Sequence, residues 1–207
     1  MSDNQLKTNE SIASYGIGLQ MGQQLVQSGF ENLDTNAILK GIEDSLKNIQ
    51  PEISVEKINE ALQELHSKTQ EKKSMQAKEA AKQGQEFLEK NKTENPNISV
   101  TSSGLQYEII TEGQGEIPKS SDKVRVHYHG QLIDGTVFDS SVTREQPAEF
   151  PVNGVIKGWV EALQMMPVGS KWKLYIPHEL AYGENGAGAA IPPSSALIFE
   201  VELLDII

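Results

Sequence analysis

Residues 124–204 carry an ordered series of short segments rich in aromatic residues, glycine and proline, and this series constrains the fold more than any other feature of the chain. Apolar and polar residues alternate in its first and last segments, which is typical of half-buried strands. Glycine and proline between them mark turns. The segments are Val-Arg-Val-His-Tyr-His-Gly at 124–130, Asp-Gly-Thr-Val-Phe-Asp-Ser-Ser at 134–141, Val-Ile-Lys-Gly-Trp at 155–159, Met-Pro-Val-Gly-Ser at 166–170, Leu-Ala-Tyr-Gly at 180–183, Ile-Pro-Pro at 191–193 and Leu-Ile-Phe-Glu-Val-Glu-Leu-Leu at 197–204.

The composition divides the chain and excludes several classes of function. A chain of 207 residues forms one large domain or two small ones, and both tryptophans and all but one of the five tyrosines follow residue 100. This distribution predicts a well-cored C-terminal domain behind a thinner helical region. The chain has no cysteine, which excludes disulfides, thiolate nucleophiles and cysteine-ligated metals. The net charge of −11 comes without a basic patch, so we expect no nucleic-acid partner.

The first ten residues are polar, with no apolar core and no cleavage site of the kind that a signal peptide carries. No apolar run approaches the ~18–20 residues of a membrane span. We therefore expect a cytoplasmic protein with no membrane partner.

Helical periodicity dominates the first half. Residues 11–28 place apolar side chains on two faces, but Gly16, Gly18 and Gly22 fall inside the segment, and each costs about 1 kcal/mol relative to alanine in a helix. The segment is therefore either a helix with a small-residue stripe for another backbone or an irregular stretch. A second helix follows from about Asp34 to Lys47.

A third, much longer helix is predicted from Ser54, after Pro51 ends the preceding unit. Its apolar stripe stops near Leu65, and residues 67–85 are mostly Lys, Glu, Gln and Ala. Such a segment is either a solvent-bridging helix or a disordered linker. Opposite charges four residues apart, such as Glu64 and Lys68, favour the helix, with Gly84 as its one weak spot.

The helices of the first 66 residues have apolar residues on more than one face, too many to bury in one small bundle. We therefore predict a homodimer through residues 1–66, with a monomeric three-helix bundle as the alternative. The predicted organisation is a helical dimerisation domain at 1–66, a connecting helix at 54–92 whose start packs in that domain, a linker at 93–102 and a strand-rich domain at 103–207.

The strand-rich domain is predicted to be antiparallel. Alternation recurs four times, ending in Phe199, Val201 and Leu203 with Glu200 and Glu202 outward. Residues 154–164 form the one convincing short helix of this half. Strands wrapped around one helix, behind an all-α region, give an α+β fold class.

In the order and spacing of its segments, the region from Ser103 to the C-terminus resembles the FKBP-type peptidyl-prolyl cis-trans isomerases. The whole chain is similar to the two-domain bacterial members related to macrophage infectivity potentiator, through the opening Ala-Ser-Tyr-Gly-Ile-Gly-Leu-Gln-Met-Gly, the long helix and Ser-Gly-Leu-Gln-Tyr at 103–107. The resemblance implies an FKBP-like isomerase domain at 103–207, an isomerase reaction on proline-containing unfolded or partly folded polypeptides, a dimer, chaperone-like binding of non-native chains, binding of macrolides such as rapamycin, and no cofactor. Among its relatives the chain resembles the cytoplasmic branch.

The same resemblance implies the site. Trp159 would be the floor of an apolar cleft, Phe138 and Asp139 would lie on its wall and rim, and Tyr182 would offer its hydroxyl to a substrate carbonyl. The Ile156 N–H would bind a second carbonyl. The substrate-binding residues implied are Tyr128, Val155, Ile156, Ile191, Phe199 and Arg144.

Two departures from the family pattern make the implied cleft more open. Ala148 stands where an aromatic residue often lies on the wall, and residues 186–190 lack bulky side chains. Macrolide binding is therefore expected but not assured. His127 and His129 flank Tyr128 and face away from it, so no metal site is predicted. A holding chaperone with secondary catalysis and a silent FKBP-like binding module stay open as alternatives.

Overall fold

The computed structural model describes residues 6–207, which form two compact units. The first ends at Ser74 and the second is Met75–Ile207. The division falls inside one continuous helix, so the predicted boundaries at 66, 92 and 102 remain predictions. The first five residues of the predicted dimerisation domain lie outside the described residues.

The first unit is helical, as the periodicity predicts. Helix α1 is Asn9–Ser28, α2 is Thr35–Leu46, and α3, Val55–Glu94, begins here. Side-chain oxygens cap the first two helices: Thr8 accepts from Ser11 N at 3.2 Å, and Asp34 accepts from Asn36 N at 2.8 Å. These caps satisfy N–H groups that no helical carbonyl can reach.

Helix α1 is continuous despite its three glycines. It ends where Gly29 adopts a left-handed conformation with φ 78°, which costs glycine little because it has no Cβ. Nothing lies within 4 Å of a Cβ placed on Gly16, Gly18 or Gly22, so no other backbone of the described chain approaches the small-residue stripe.

Helix α3 is continuous over 40 residues, which confirms the helical alternative for residues 67–85. It extends two residues past the predicted end at 92, and Pro96 follows. Gly84 is not a weak spot: it is the buried residue of this helix, and a Cβ there would lie 3.0 Å from Ala196 Cβ. The missing Cβ of Gly84 lets the helix pack closely on Ala196 of the same unit.

Further contacts within the second unit hold the same end of α3. Gln106 donates to the Leu88 carbonyl at 2.8 Å and accepts from Asn91 at 2.9 Å. The rings of Phe87 and Tyr175 lie 6.0 Å apart. The last turns of α3 are therefore a packed part of this unit.

The remainder of the second unit is one antiparallel sheet with a short helix, the predicted α+β arrangement. In space the strands run β1-β2-β6-β7-β3-β4, with β5 also paired to β3. The strands are β1 Ser99–Val100, β2 Gln106–Thr111, β3 Lys123–Leu132, β4 Val137–Ser140, β5 Ala148–Pro151, β6 Lys171–Ile176 and β7 Leu197–Ile206. The predicted linker at 93–102 thus contains the end of α3 and strand β1.

Helix α4 is shorter than the predicted 154–164. It spans Lys157–Leu163, after a single 3-10 turn at Val152–Gly154 and two extended residues. A Cβ on Gly158 would lie 2.6 Å from Ile176 Cγ2, so glycine lets α4 approach the sheet. The core joins Trp159, Ala162 and Leu163 of α4 to the alternating apolar residues of β3, β6 and β7.

Candidate active site

An aromatic cleft of about 610 Å³ lies at one end of the core of the second unit. Trp159 is 4% exposed, and its ring centroid lies 5.3 Å from that of Phe199 and 5.5 Å from that of Tyr128. Both pairs are edge-on, an arrangement that aromatic rings prefer to face-to-face stacking. Phe138 stands edge-on to Phe199 at 5.5 Å.

Strand alternation explains why these rings converge. Tyr128 on β3 and Phe199 on β7 point inward because residues two apart share one face of a strand. Gly130 lies two residues after Tyr128, on the same face of β3. A Cβ there would come within 2.6 Å of Phe199 and 2.8 Å of Phe138. The glycine that ends the 124–130 segment therefore leaves room for the two phenylalanine rings.

The structure brings together nearly every residue that the sequence assigns to the site. Arg144 is not part of the lining, but it donates hydrogen bonds to Asp139 and Tyr128, which are. The lining contains Tyr128, Phe138, Asp139, Val155, Ile156, Trp159, Tyr182, Ile191 and Phe199. Ile156 precedes α4 as its N-cap residue, so its N–H lies outside the helical hydrogen-bond ladder. The individual roles of these residues in catalysis remain predictions.

The lining also contains Phe150 and Gly154, to which the sequence assigns no role, and Ala187 and Ala190 of the 186–190 segment that predicts a more open cleft. The Phe150 ring is edge-on to Trp159 at 5.9 Å. Ala148 is not part of the lining, but it lies on the same strand two residues before Phe150. The i, i+2 spacing of Ala148 and Phe150 on β5 predicts that Phe150 faces the same side of the sheet as Ala148.

Asp139 is the one carboxylate of the cleft lining, and two donors hold it. The Tyr128 hydroxyl donates to one of its oxygens and the Arg144 guanidinium to the other. Arg144 also donates to the Tyr128 hydroxyl at 2.9 Å. The three side chains thus form a closed network at the rim, where the Asp139 and Arg144 side chains are 42% and 51% exposed.

This network shifts the ionisation equilibria of Asp139 and Tyr128. Burial on its own would raise the pKa of Asp139, but the hydrogen bonds from Tyr128 and Arg144 outweigh it and hold the pKa below its ordinary value. Burial, together with the hydrogen bond to Asp139, raises the pKa of the Tyr128 hydroxyl. At neutral pH the cleft therefore presents an ionised carboxylate and a protonated phenol.

A second groove, of about 820 Å³, lies between the last turns of α3 and the segments around Gln106, Pro177 and Ala196. It contains charged side chains such as Lys82 and Glu89 and no cluster of aromatic rings. Within residues 6–207, no group of three histidine or carboxylate side chains could hold a metal ion, and no helix is long and apolar enough to cross a membrane. The aromatic cleft is the better candidate for the active site.

Comparison with known proteins agrees with this geometry. Residues 114–204 match the family described as FKBP-type peptidyl-prolyl cis-trans isomerase, and residues 10–109 match the domain amino terminal to it. The chain is 55% identical over 200 residues to the FKBP-type 22 kDa peptidyl-prolyl cis-trans isomerase of Escherichia coli, covering 97% of both chains. It is 39% identical to the outer membrane protein MIP of Legionella longbeachae, covering 97% of this chain and 87% of that protein.

A solved structure shows the same fold over nearly the whole chain. The crystal structure of FkpA from Escherichia coli superposes with a TM-score of 0.69 at 37% identity, covering 97% of each chain. The likeness extends over the helical region as well as the sheet.

The ionised Asp139 should stabilise the fold in a pH-dependent way. Because its folded pKa is depressed, its contribution is present above the unfolded pKa of about 3.9 and is lost as the pH falls through the lower folded value. Compared with Asp139→Asn, the wild type should have an unfolding free energy higher by up to about 1 kcal/mol at pH 7, since the pair is half exposed. Urea denaturation at pH 7, 4 and 2.5 measures this gap. A gap that stays constant over that range contradicts the assignment.

Proposed function

The chain belongs to the FKBP-type peptidyl-prolyl cis-trans isomerases, and on that premise we propose that it isomerises Xaa-Pro bonds in the cleft built on Trp159. The observation that carries the proposal is the joint placement of the aromatic rings and the held Asp139 carboxylate around one cavity. Its volume lies in the range of ~300–1,000 Å³ typical of small-ligand sites.

The reaction requires binding and polarity rather than a nucleophile. Resonance gives the peptide C–N bond partial double-bond character and a rotational barrier of ~18–20 kcal/mol. Before proline the cis and trans forms are close in free energy, so the uncatalysed exchange is slow but not uphill. Catalysis needs an environment that binds the twisted bond better than the planar one.

The cleft has the parts for this preference. Twisting the C–N bond breaks the resonance and makes the amide less dipolar, so an apolar surface of Trp159, Phe199 and Tyr128 disfavours the planar ground state. The proline ring would pack on Trp159. Tyr182, 41% exposed at the edge of the cleft, would donate to a substrate carbonyl. Each factor of ten in rate corresponds to about 1.4 kcal/mol, so a few such contacts account for useful catalysis.

Asp139→Ala should lower kcat/KM on a short Xaa-Pro peptide about tenfold, because it removes the carboxylate that orders Tyr128 and Arg144. A protease-coupled or exchange-NMR assay measures the rate. Glu149→Ala is the matched control, since Glu149 binds Lys123 and Arg125 outside the cleft. Unchanged turnover in Asp139→Ala would remove this residue from the mechanism.

We also propose that the protein is a homodimer through residues 1–66. In a closed monomeric bundle each helix would bury one face, yet neither α1 nor α2 has a buried residue. Several large apolar side chains of these helices, such as Ile12, Ile17 and Leu39, are instead more than half exposed, and the glycines of α1 have no described neighbour. A second copy of the chain offers a face of matching chemistry at both features.

Leu19→Glu should convert the dimer to a monomer, because it places a charge among the exposed apolar residues of α1, where Leu19 is 52% exposed. Light scattering should give twice 22.8 kDa for the wild type and 22.8 kDa for the variant. Val142→Glu, at a 55% exposed position of the second unit, is the control and should stay dimeric. A wild type that is monomeric at micromolar concentration rules out the proposal.

Rapamycin and related macrolides should bind in the same cleft, with an affinity reduced by the alanines at 187 and 190, which widen it. Titration should change the fluorescence of Trp159. The change should persist in Trp172→Phe, because Trp172 stacks on Tyr107 and is not part of the lining, and it should vanish in Trp159→Phe. A change carried by Trp172 would place the ligand elsewhere.

The exposed apolar residues of the first unit also support chaperone-like binding of non-native chains. Suppression of aggregation that survives Asp139→Ala would separate this holding activity from catalysis. We also propose a cytoplasmic location, which cell fractionation with an antibody tests.

A further inference from the structure

Two serines follow Asp139 and are buried on the far side of the sheet from the cleft. Ser140 is 5% exposed and Ser141 is fully buried. Each lies against a histidine of β3: His129 Nδ1 is 3.0 Å from Ser140 Oγ, and His127 Nδ1 is 3.1 Å from Ser141 Oγ. The function proposed for the cleft uses neither histidine.

The serines connect the cleft residues to the turn that carries Arg144. Ser140 Oγ accepts from the Thr143 N–H at 3.2 Å and so fixes the start of this turn. Ser141 Oγ accepts from the Tyr128 N–H at 2.7 Å, and its own N–H donates to the Tyr128 carbonyl at 3.0 Å. The two serines therefore fix the backbones from which Asp139, Tyr128 and Arg144 reach one another.

The single proton of each serine hydroxyl determines which protonation states of the neighbouring histidine it can satisfy. A serine hydroxyl has one proton to donate and can accept two. Ser140 already accepts from Thr143, and among residues 6–207 the contact left for its proton is His129, so this buried hydroxyl is satisfied when His129 Nδ1 is an unprotonated acceptor. Ser141 can give its proton to the Tyr128 carbonyl at 3.2 Å, so its hydroxyl is satisfied whether His127 Nδ1 accepts from it or donates to it.

We propose that neutral His129, acting through Ser140, is a positioning residue that holds the Arg144 turn in place over Asp139. When His129 is protonated, its Nδ1 becomes a donor. Ser140 then faces two donors, and its own buried proton loses its acceptor, a costly arrangement. The turn shifts to relieve this, and Arg144 loses its alignment with Asp139. Protonation of His127 has no such effect, because Ser141 can then accept from Nδ1 and donate to the Tyr128 carbonyl.

The charged surroundings of the two histidines lie on the neighbouring strands. Glu200 and Glu202 of β7 are the register partners of His129 and His127. On β6, Lys171 pairs with Glu200 at 3.2 Å, and Lys173 is the register partner of Glu200. On β3 itself, Arg125 is engaged with Glu149 of β5. On β4, Asp139 precedes Ser140 but binds Tyr128 and Arg144 in the cleft.

The test is the pH profile of kcat/KM between pH 8 and 5.5, measured by exchange NMR on an Xaa-Pro peptide so that no coupling protease is involved. Imidazole is the ordinary side chain that changes charge in this window. The Asp139 pKa is depressed, so that carboxyl stays ionised throughout. We expect wild-type kcat/KM to fall at least about fivefold at the acid end, with kcat falling more than KM rises.

Three histidine variants isolate the cause. In His129→Asn the amide oxygen can still accept from Ser140 but does not titrate, so activity at pH 8 should be close to wild type and the acid fall should vanish. His129→Leu should be low and flat at every pH. His127→Asn should keep the acid fall. His129 is only half-buried, so its variants should fold, which circular dichroism checks. In Ser140→Ala, kcat at pH 8 should drop several-fold, and Ser140→Thr should restore it.

The inference is overturned by a flat wild-type profile, by an acid fall that persists in His129→Asn, by one that vanishes in His127→Asn, or by wild-type activity of His129→Leu at pH 8. It rests on the proposed isomerase role of the cleft. Turnover at pH 8 that is unchanged in Asp139→Ala counts against the proposed role of Asp139 in the cleft, whereas the histidine variants, compared at constant Asp139, test the inference alone.

Discussion

The packing of aromatic edges against the Trp159 indole is the interaction on which the remainder of the site depends. Tyr128, Phe150 and Phe199 come from three strands, and each places its ring within 6 Å of Trp159. The same packing fixes Tyr128, whose hydroxyl then reaches Asp139 from the apolar side. The apolar floor of the cleft and the hydrogen-bonded Asp139 carboxylate thus depend on one arrangement, because Tyr128 both packs on Trp159 and donates to Asp139.

The sequence predicts the sheet well because alternation directly encodes which face of a strand is buried. Phe199, Val201 and Leu203 are buried, as their spacing requires. It predicts the cleft almost completely only through resemblance, since each aromatic residue alone is equally consistent with ordinary core packing. Phe150 lies outside the segments that carry the resemblance, so only its i, i+2 spacing from Ala148 on the same strand indicates that it faces the cleft side.

For the helices, the sequence predicts their positions but not their packing. Periodicity predicts where α1, α2 and α3 lie, because a helix needs only local spacing and caps. It does not predict what packs against a polar helix. Gly84 looks like a defect when only helix propensity is considered. In the structure it is the point where α3 meets Ala196, and its missing side chain is what allows the contact. Such a role depends on a residue more than a hundred positions away and leaves no local signal.

The two faces of strand β3 have different roles. Tyr128 and Gly130 face the cleft, while His127 and His129 face the opposite side, so a single alternating segment provides both a cleft wall and its support. Alternation predicted the two faces but not the hydrogen bonds, because those depend on pairing Ser140 and Ser141 opposite the histidines. The Ser140 hydroxyl has one proton, and its contact with His129 satisfies that proton only while His129 Nδ1 is unprotonated. Activity in the cleft therefore requires neutral His129 on the opposite face of the sheet, although Asp139, the carboxylate of the cleft, stays ionised near neutral pH.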